Sequence, residues 1–119
     1  MIYIHLKTGL TSADWISRSL ESAKSDPVGL WQIVKAGRQG FGLDGPDLED
    51  FVRGFIQELI RGGASPIVGD RSTSSGWSKT IKYGTKSEEV VDAIINEWKN
   101  DNTDPDVGGV WFALPSVWQ

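Results

Sequence analysis

The clearest pattern in the chain is a helical one. Leu48, Phe51, Val52, Phe55, Ile56 and Leu59 recur at i, i+3, i+4, i+7, i+8 and i+11, a wide apolar stripe on one face. Asp47, Glu49 and Asp50 crowd the first turn of that predicted helix and Arg61 its last, as the macrodipole favours, and Gly62-Gly63 stops it. A second stripe, Val90, Val91, Ile94, Ile95 and Trp98, predicts another helix starting at Thr85 to Ser87. Thr85 and Glu88 stand at capping-box spacing, with Ser87 as a competing cap. Earlier in the chain, Trp15, Ile16, Leu20 and Ala23 line one face of a helix that Thr11 or Ser12 can cap. Asp26-Pro27 restarts the chain, Asp26 as N-cap and Pro27 at the first helical position. Leu30, Trp31, Ile33 and Val34 then predict a short helix ending near Gly37, with a buried strand as the alternative.

The strand signals are shorter. Ile2, Ile4 and Leu6 alternate with Tyr3 and His5 and predict a first strand. Ser65-Pro66-Ile67-Val68 predicts another, with the proline at its start or at a sheet edge. A polar loop, GDRSTSSG over 69–76, separates it from WSKTIKY over 77–83, the expected return strand of a hairpin. Val110 to Leu114 is a continuous apolar run of strand length, ended by Pro115. Strands and helices do not alternate as in a doubly wound sheet. The expected fold is α+β, a helical body of three to four helices with a small antiparallel sheet, in a single domain over residues 1–119. Three helices followed by a hairpin are also winged-helix-like, in element order alone.

Length and charge narrow the function. A chain of 119 residues buries a core without staples, and it has no cysteine to make them. The first ten residues lack a basic region and carry too short an apolar run for a signal peptide, and no stretch approaches a membrane span. A cytoplasmic protein with no membrane partner is expected. The net charge of −4 disfavours nucleic acid, which needs clustered Lys and Arg, and suits a basic protein partner. Arg71, Lys79, Lys82 and Lys86 are the one basic concentration, and a winged-helix nucleic-acid binder would use them as a wing contact.

Four features suggest chemistry. GFGLDG over 40–45 matches the G-x-G-x-x-G of dinucleotide loops, which requires a strand before it and free N–H groups at the following helix start. Here the preceding segment reads as helix, Pro46 removes one N–H, and Asp44, Asp47, Glu49 and Asp50 would repel an anion. The glycines are therefore read as shaping a connection, and no nucleotide or other cofactor is expected. His5 is the only histidine, so a multi-histidine metal site is excluded, and no serine carries an elbow motif. No catalytic residue is assigned and an enzyme is not expected. The carboxylates form two groups, Asp44, Asp47, Glu49 and Asp50, then Asp101, Asp104 and Asp106. Helix capping explains the first and a solvated turn the second; the second echoes a calcium loop but lacks its central glycine and closing glutamate. Finally, Trp118 stands beyond Pro115, either as an exposed anchor or tucked over the core.

"LWQIV", "LEDFVRGFIQELIRGGASPIVGD", "YGTKSEEVVDAIINEWKN" and "DPDVGGVWFALP" together resemble small bacterial immunity proteins of polymorphic or contact-dependent growth-inhibition toxin systems. The resemblance lies in the order of segments over residues 30–114: a helix ending in G-G-x-x-P-[IV], a later helix ending in Trp, and a final aromatic strand. It implies a small acidic protein without enzymatic activity that binds and neutralises a cognate toxin, often a basic nuclease. The partner-binding patch expected from the residues is Asp101, Asp104 and Asp106 beside Trp118, charges giving association rate and a buried aromatic holding the complex. The group around Asp47 is the alternative patch.

Overall fold

Both long stripes form the helices they predict. The structure, a computed structural model, describes residues 2–119. In chain order the elements are α1 (Ser12–Ser22), β1 (Val28–Gly29), α2 (Leu30–Lys35), a π-helical turn (Ala36–Gly40), α3 (Gly45–Arg61), β2 (Ser65–Gly69), β3 (Trp77–Lys79), α4 (Ser87–Asp101), β4 (Trp111–Ala113) and α5 (Pro115–Trp118). The fold is α+β, with five α-helices and a four-stranded antiparallel sheet among the described residues. Every stripe residue of α3 is buried, and so are Val90, Val91, Ile94 and Ile95 of α4. The two helices pack antiparallel, with Arg53 bridging to Asp92 and Glu49 to Lys99.

The sheet runs in the order β1-β4-β2-β3, all neighbours antiparallel. Pro66 is tolerated in the interior strand β2 because of where its missing N–H would point. Its carbonyl accepts from Thr80 N–H at 3.0 Å, so the proline nitrogen faces the β3 side, just beyond Lys79 where that strand ends. One sheet face carries Phe112 into the main core. Ile67 and Ala113 lie on the opposite face and are equally buried, because α5 reaches from β4 to β3 across β2 and covers them. Trp77 and Trp111 meet on this second face with ring centroids 5.5 Å apart.

Several boundaries differ from expectation. Pro27 does not open a helix: the chain runs through β1, which pairs with β4, and α2 starts only at Leu30 with Gly29 as N-cap. Gly29 is required there, since a Cβ would meet the Trp31 ring at 2.7 Å. Residues 30–35 are thus helix and not strand. α4 begins one residue later than Thr85-Glu88 capping would place it, with Lys86 as N-cap and no side-chain cap bond. β3 spans three residues and not seven. At α1, Thr11 is the cap, its Oγ1 accepting from Asp14 N–H at 3.2 Å.

The largest difference is at the N-terminus. Ile2, Ile4 and Leu6 form no strand beyond a single bridge, Ile4 to Thr11, and their alternation is inverted: they are 69%, 52% and 69% exposed. Tyr3 and His5 face inward instead. His5 stacks on Trp15 at 4.7 Å and meets the edge of Phe41, and Tyr3 lies edge-on to Phe51. Aromatic rings and hydrogen bonds set the inward face here: His5 Nδ1 accepts from Lys7 and Thr8 N–H, and Tyr3 donates to Asp50 at 2.8 Å.

Candidate functional site

The glycine-rich segment follows a π-helical turn, not a strand. Gly42 and Gly45 have φ of +67° and +54°, the left-handed region, so the chain can bend twice before Pro46 starts α3. Gly40 and Gly42 also let the N-terminal segment approach: a Cβ would meet the His5 ring at 2.9 Å on the first and Leu6 at 3.1 Å on the second. The buried Phe41 between them joins the aromatic cluster of His5, Trp15 and Phe51. The motif is a hinge for packing, and the acids of α3 surround the helix start as its sequence requires.

Antiparallel packing brings the two carboxylate groups to one end of the molecule. The N-terminus of α3 and the C-terminus of α4 flank an open cleft of about 630 Å³, with Pro46, Leu48 and Glu49 on one wall and Trp98, Lys99, Asn102 and Asp104 on the other. Arg38 also lines it, and the two carboxylates of the cleft are both paired, Asp104 with Arg38 and Glu49 with Lys99. Trp98 also borders a smaller hollow of about 240 Å³, lined by Glu97, Asp101, Asp104 and Asp106. The half-buried Trp98 therefore lines both a charge-balanced cleft and an acidic hollow.

The three predicted aspartates have three different situations. Asp104 is committed internally: Arg38 grips it with two bonds of 2.6 and 3.0 Å, and Trp98 Nε1–H donates to it at 3.3 Å. The hydrogen bond from Arg38 holds the Asp104 carboxyl below the usual carboxylate range. This ties the turn after α4 to the π-helical turn, so the acidic run is an anchored connection and not a freely solvated one. Asp106 accepts from Gly108 N–H at 2.9 Å and shapes the turn leading into β4. Asp101 is exposed at the end of α4 and, among the described residues, has no ion-pair partner; the same holds for Asp44 and Asp47.

Trp118 lines neither concavity that borders these aspartates. It ends α5, is half-buried, and its carbonyl accepts from Ser75 Oγ at 3.0 Å. The aromatic beside the aspartates is Trp98, which the helical stripe had marked as core. Its position at the last turn of α4, four residues after Ile94 and directly before the acidic run, was the available signal. Of the basic residues, Lys82 is bound to Glu97 at 2.9 Å, while Arg71 sits in the loop between β2 and β3. Among the described residues no group of three or more His, Asp or Glu side chains is placed to share a metal ion. No helix among them is long and apolar enough to cross a membrane. No family model, curated protein or solved structure matches the chain.

Proposed function

We propose that this is a non-enzymatic binding protein that neutralises a basic protein partner, an immunity protein acting on a toxin made by the same bacterium. The observation that carries the reading is the convergence of two acidic groups, more than fifty residues apart in sequence, at the end of the α3–α4 pair where Asp101 and Asp106 line a hollow beside Trp98. Asp47 and Asp101 are exposed and hold no ion pair, so a basic partner is drawn to this end of an already acidic molecule. A lysine or arginine side chain of the partner enters the smaller hollow beside Asp101, Asp106 and the indole, which accepts cations on its face.

Co-expression with the product of the adjacent toxin-like gene tests the reading. Rescue of growth and a complex whose association slows with salt support it. Reversing the exposed Asp101 to lysine slows association and leaves the fold intact, because it holds no ion pair and lies at a helix C-terminus, where a cation is favoured. Absence of both rescue and complex at low salt removes it.

A further inference from the structure

A third concavity, sharing no lining residue with the two beside Trp98, has the opposite character to the acidic hollow. It lies between α1 and α2, with a volume of about 460 Å³, within the range of small-molecule sites. Its apolar surface comes from Leu10, Trp15, Val28, Ile33 and Phe55. The polar groups that line it are Thr8, Arg18, Ser19, Ser22 and Gln32, and no carboxylate does, in a chain with sixteen acidic residues.

The bonding of those groups leaves donors facing the groove. Gln32 uses its Oε1 to accept from Gly29 N–H at 3.0 Å, which leaves its amide NH₂ free. Ser19 Oγ is spent on the Trp15 carbonyl. Arg18 is the decisive group. Asp14 stands one turn before it, at the spacing that favours an ion pair on a helix, yet none forms. Glu21, three residues after it, is engaged by Lys24 at 2.6 Å. Arg18 instead lines the groove, a cation with no acidic partner among the described residues.

An apolar floor under a rim with one guanidinium, a free amide NH₂ and no carboxylate selects an anionic head on an apolar body. We propose that this groove binds an amphipathic monocarboxylate, its hydrocarbon body against Trp15, Ile33 and Phe55 and its carboxylate on Arg18 with help from the Gln32 amide. The committed occupant is a free small acid. A neutral or cationic amphiphile would leave the guanidinium desolvated without a counter-charge or repel it.

The test is an NMR titration of the full ¹⁵N-labelled chain, below micelle formation, with decanoate, decanol, decylammonium and acetate as probes. Decanoate is expected to give saturable shifts at the Trp15 indole and the Gln32 and Ser22 signals. Decanol and decylammonium bind roughly tenfold more weakly or worse, and acetate gives no shift. Arg18→Gln, at an exposed helix position, reduces decanoate to the level of decanol, a loss of roughly tenfold, and leaves decanol unchanged. Ala36→Leu, which puts bulk into the groove, weakens both. Equal affinity for decanoate and decanol overturns the proposal, as does unchanged decanoate affinity in Arg18→Gln. Absence of saturable shifts, or shifts confined to Ile2, Ile4 and Leu6, overturns it equally.

Discussion

Two glycines on neighbouring elements are expected to respond to the same substitution with opposite sign. Gly54 lies in the middle of α3, half-buried, and a Cβ built on it finds no atom within 4 Å. The glycine thus costs the helix stability, through the backbone freedom lost on folding, without giving room to a neighbour. Alanine in a helix interior is favoured over glycine by about 0.8–1 kcal/mol, so Gly54→Ala should stabilise by about 0.5–1 kcal/mol. Gly37 is buried in the π-helical turn, where a Cβ would fall 2.6 Å from Leu48 Cδ1 and 2.9 Å from Phe51 Cδ1. Both of those side chains are packed into the core at 1% and 2% exposure and have no space to retreat into. Gly37→Ala should therefore destabilise by about 1–3 kcal/mol, the usual size of overpacking. Its φ is not in the left-handed region, so the penalty is steric and not conformational. Urea denaturation reads both effects as shifts in midpoint at constant slope, and Gly54→Ala should also raise the melting temperature by a few degrees. A neutral or destabilised Gly54→Ala would mean that α1 lies closer on α3 than described. A tolerated Gly37→Ala would mean that the π-helical turn is not seated on Leu48 and Phe51.

Asp104 titrates below its unfolded value because of Arg38, so its contribution is present above the ordinary carboxylate range and lost as pH falls through the folded value. Arg38→Gln should remove that acid limb at a cost of about 0.5–1 kcal/mol, since the pair is half-exposed, whereas Asp101→Ala should change stability by less than about 0.5 kcal/mol. Burial, and then the hydrogen bond to Glu97, push the Tyr83 phenol up from 10.0 to about 12. Its stabilisation is therefore full below pH 10 and lost as pH rises towards 12, and Tyr83→Phe should flatten this alkaline decline while costing about 1 kcal/mol in urea midpoints near neutrality. Replacing Ile2, Ile4 or Leu6 singly by Thr should shift the midpoint by less than about 0.5 kcal/mol, while Phe41→Ala costs about 3–5 kcal/mol.

What was legible in the sequence was whatever a single periodicity decides. The stripes of α3 and α4 follow from spacing alone, because each apolar set has one place to be buried, and the strand from Trp111 follows from its unbroken apolar run. The N-terminus was not legible. Alternation specifies two faces but not which is inward, and Tyr3 and His5 won through contacts with Asp50, Trp15 and Phe41 that are distant in sequence. β1 escaped notice because two residues carry no pattern; only its partner β4 makes it a strand. At the acidic end, both carboxylate groups were visible, but their meeting depended on the antiparallel packing of α3 and α4. The commitment of Asp104 depended on Arg38, sixty-six residues away.

The position of β4 has a consequence for vectorial synthesis. It is the last strand of the sheet in chain order, yet it occupies an interior place, between β1 and β2. Until it emerges from the ribosome, the hairpin of β2 and β3 can form, but the inner edge of β2 and the whole of β1 have nothing to pair with. Phe112 is missing from the core over the same interval. The nascent chain thus carries an open strand edge and an unfilled core site together, the combination that invites pairing with another chain. Closure then depends on a three-residue strand that joins both halves of the sheet.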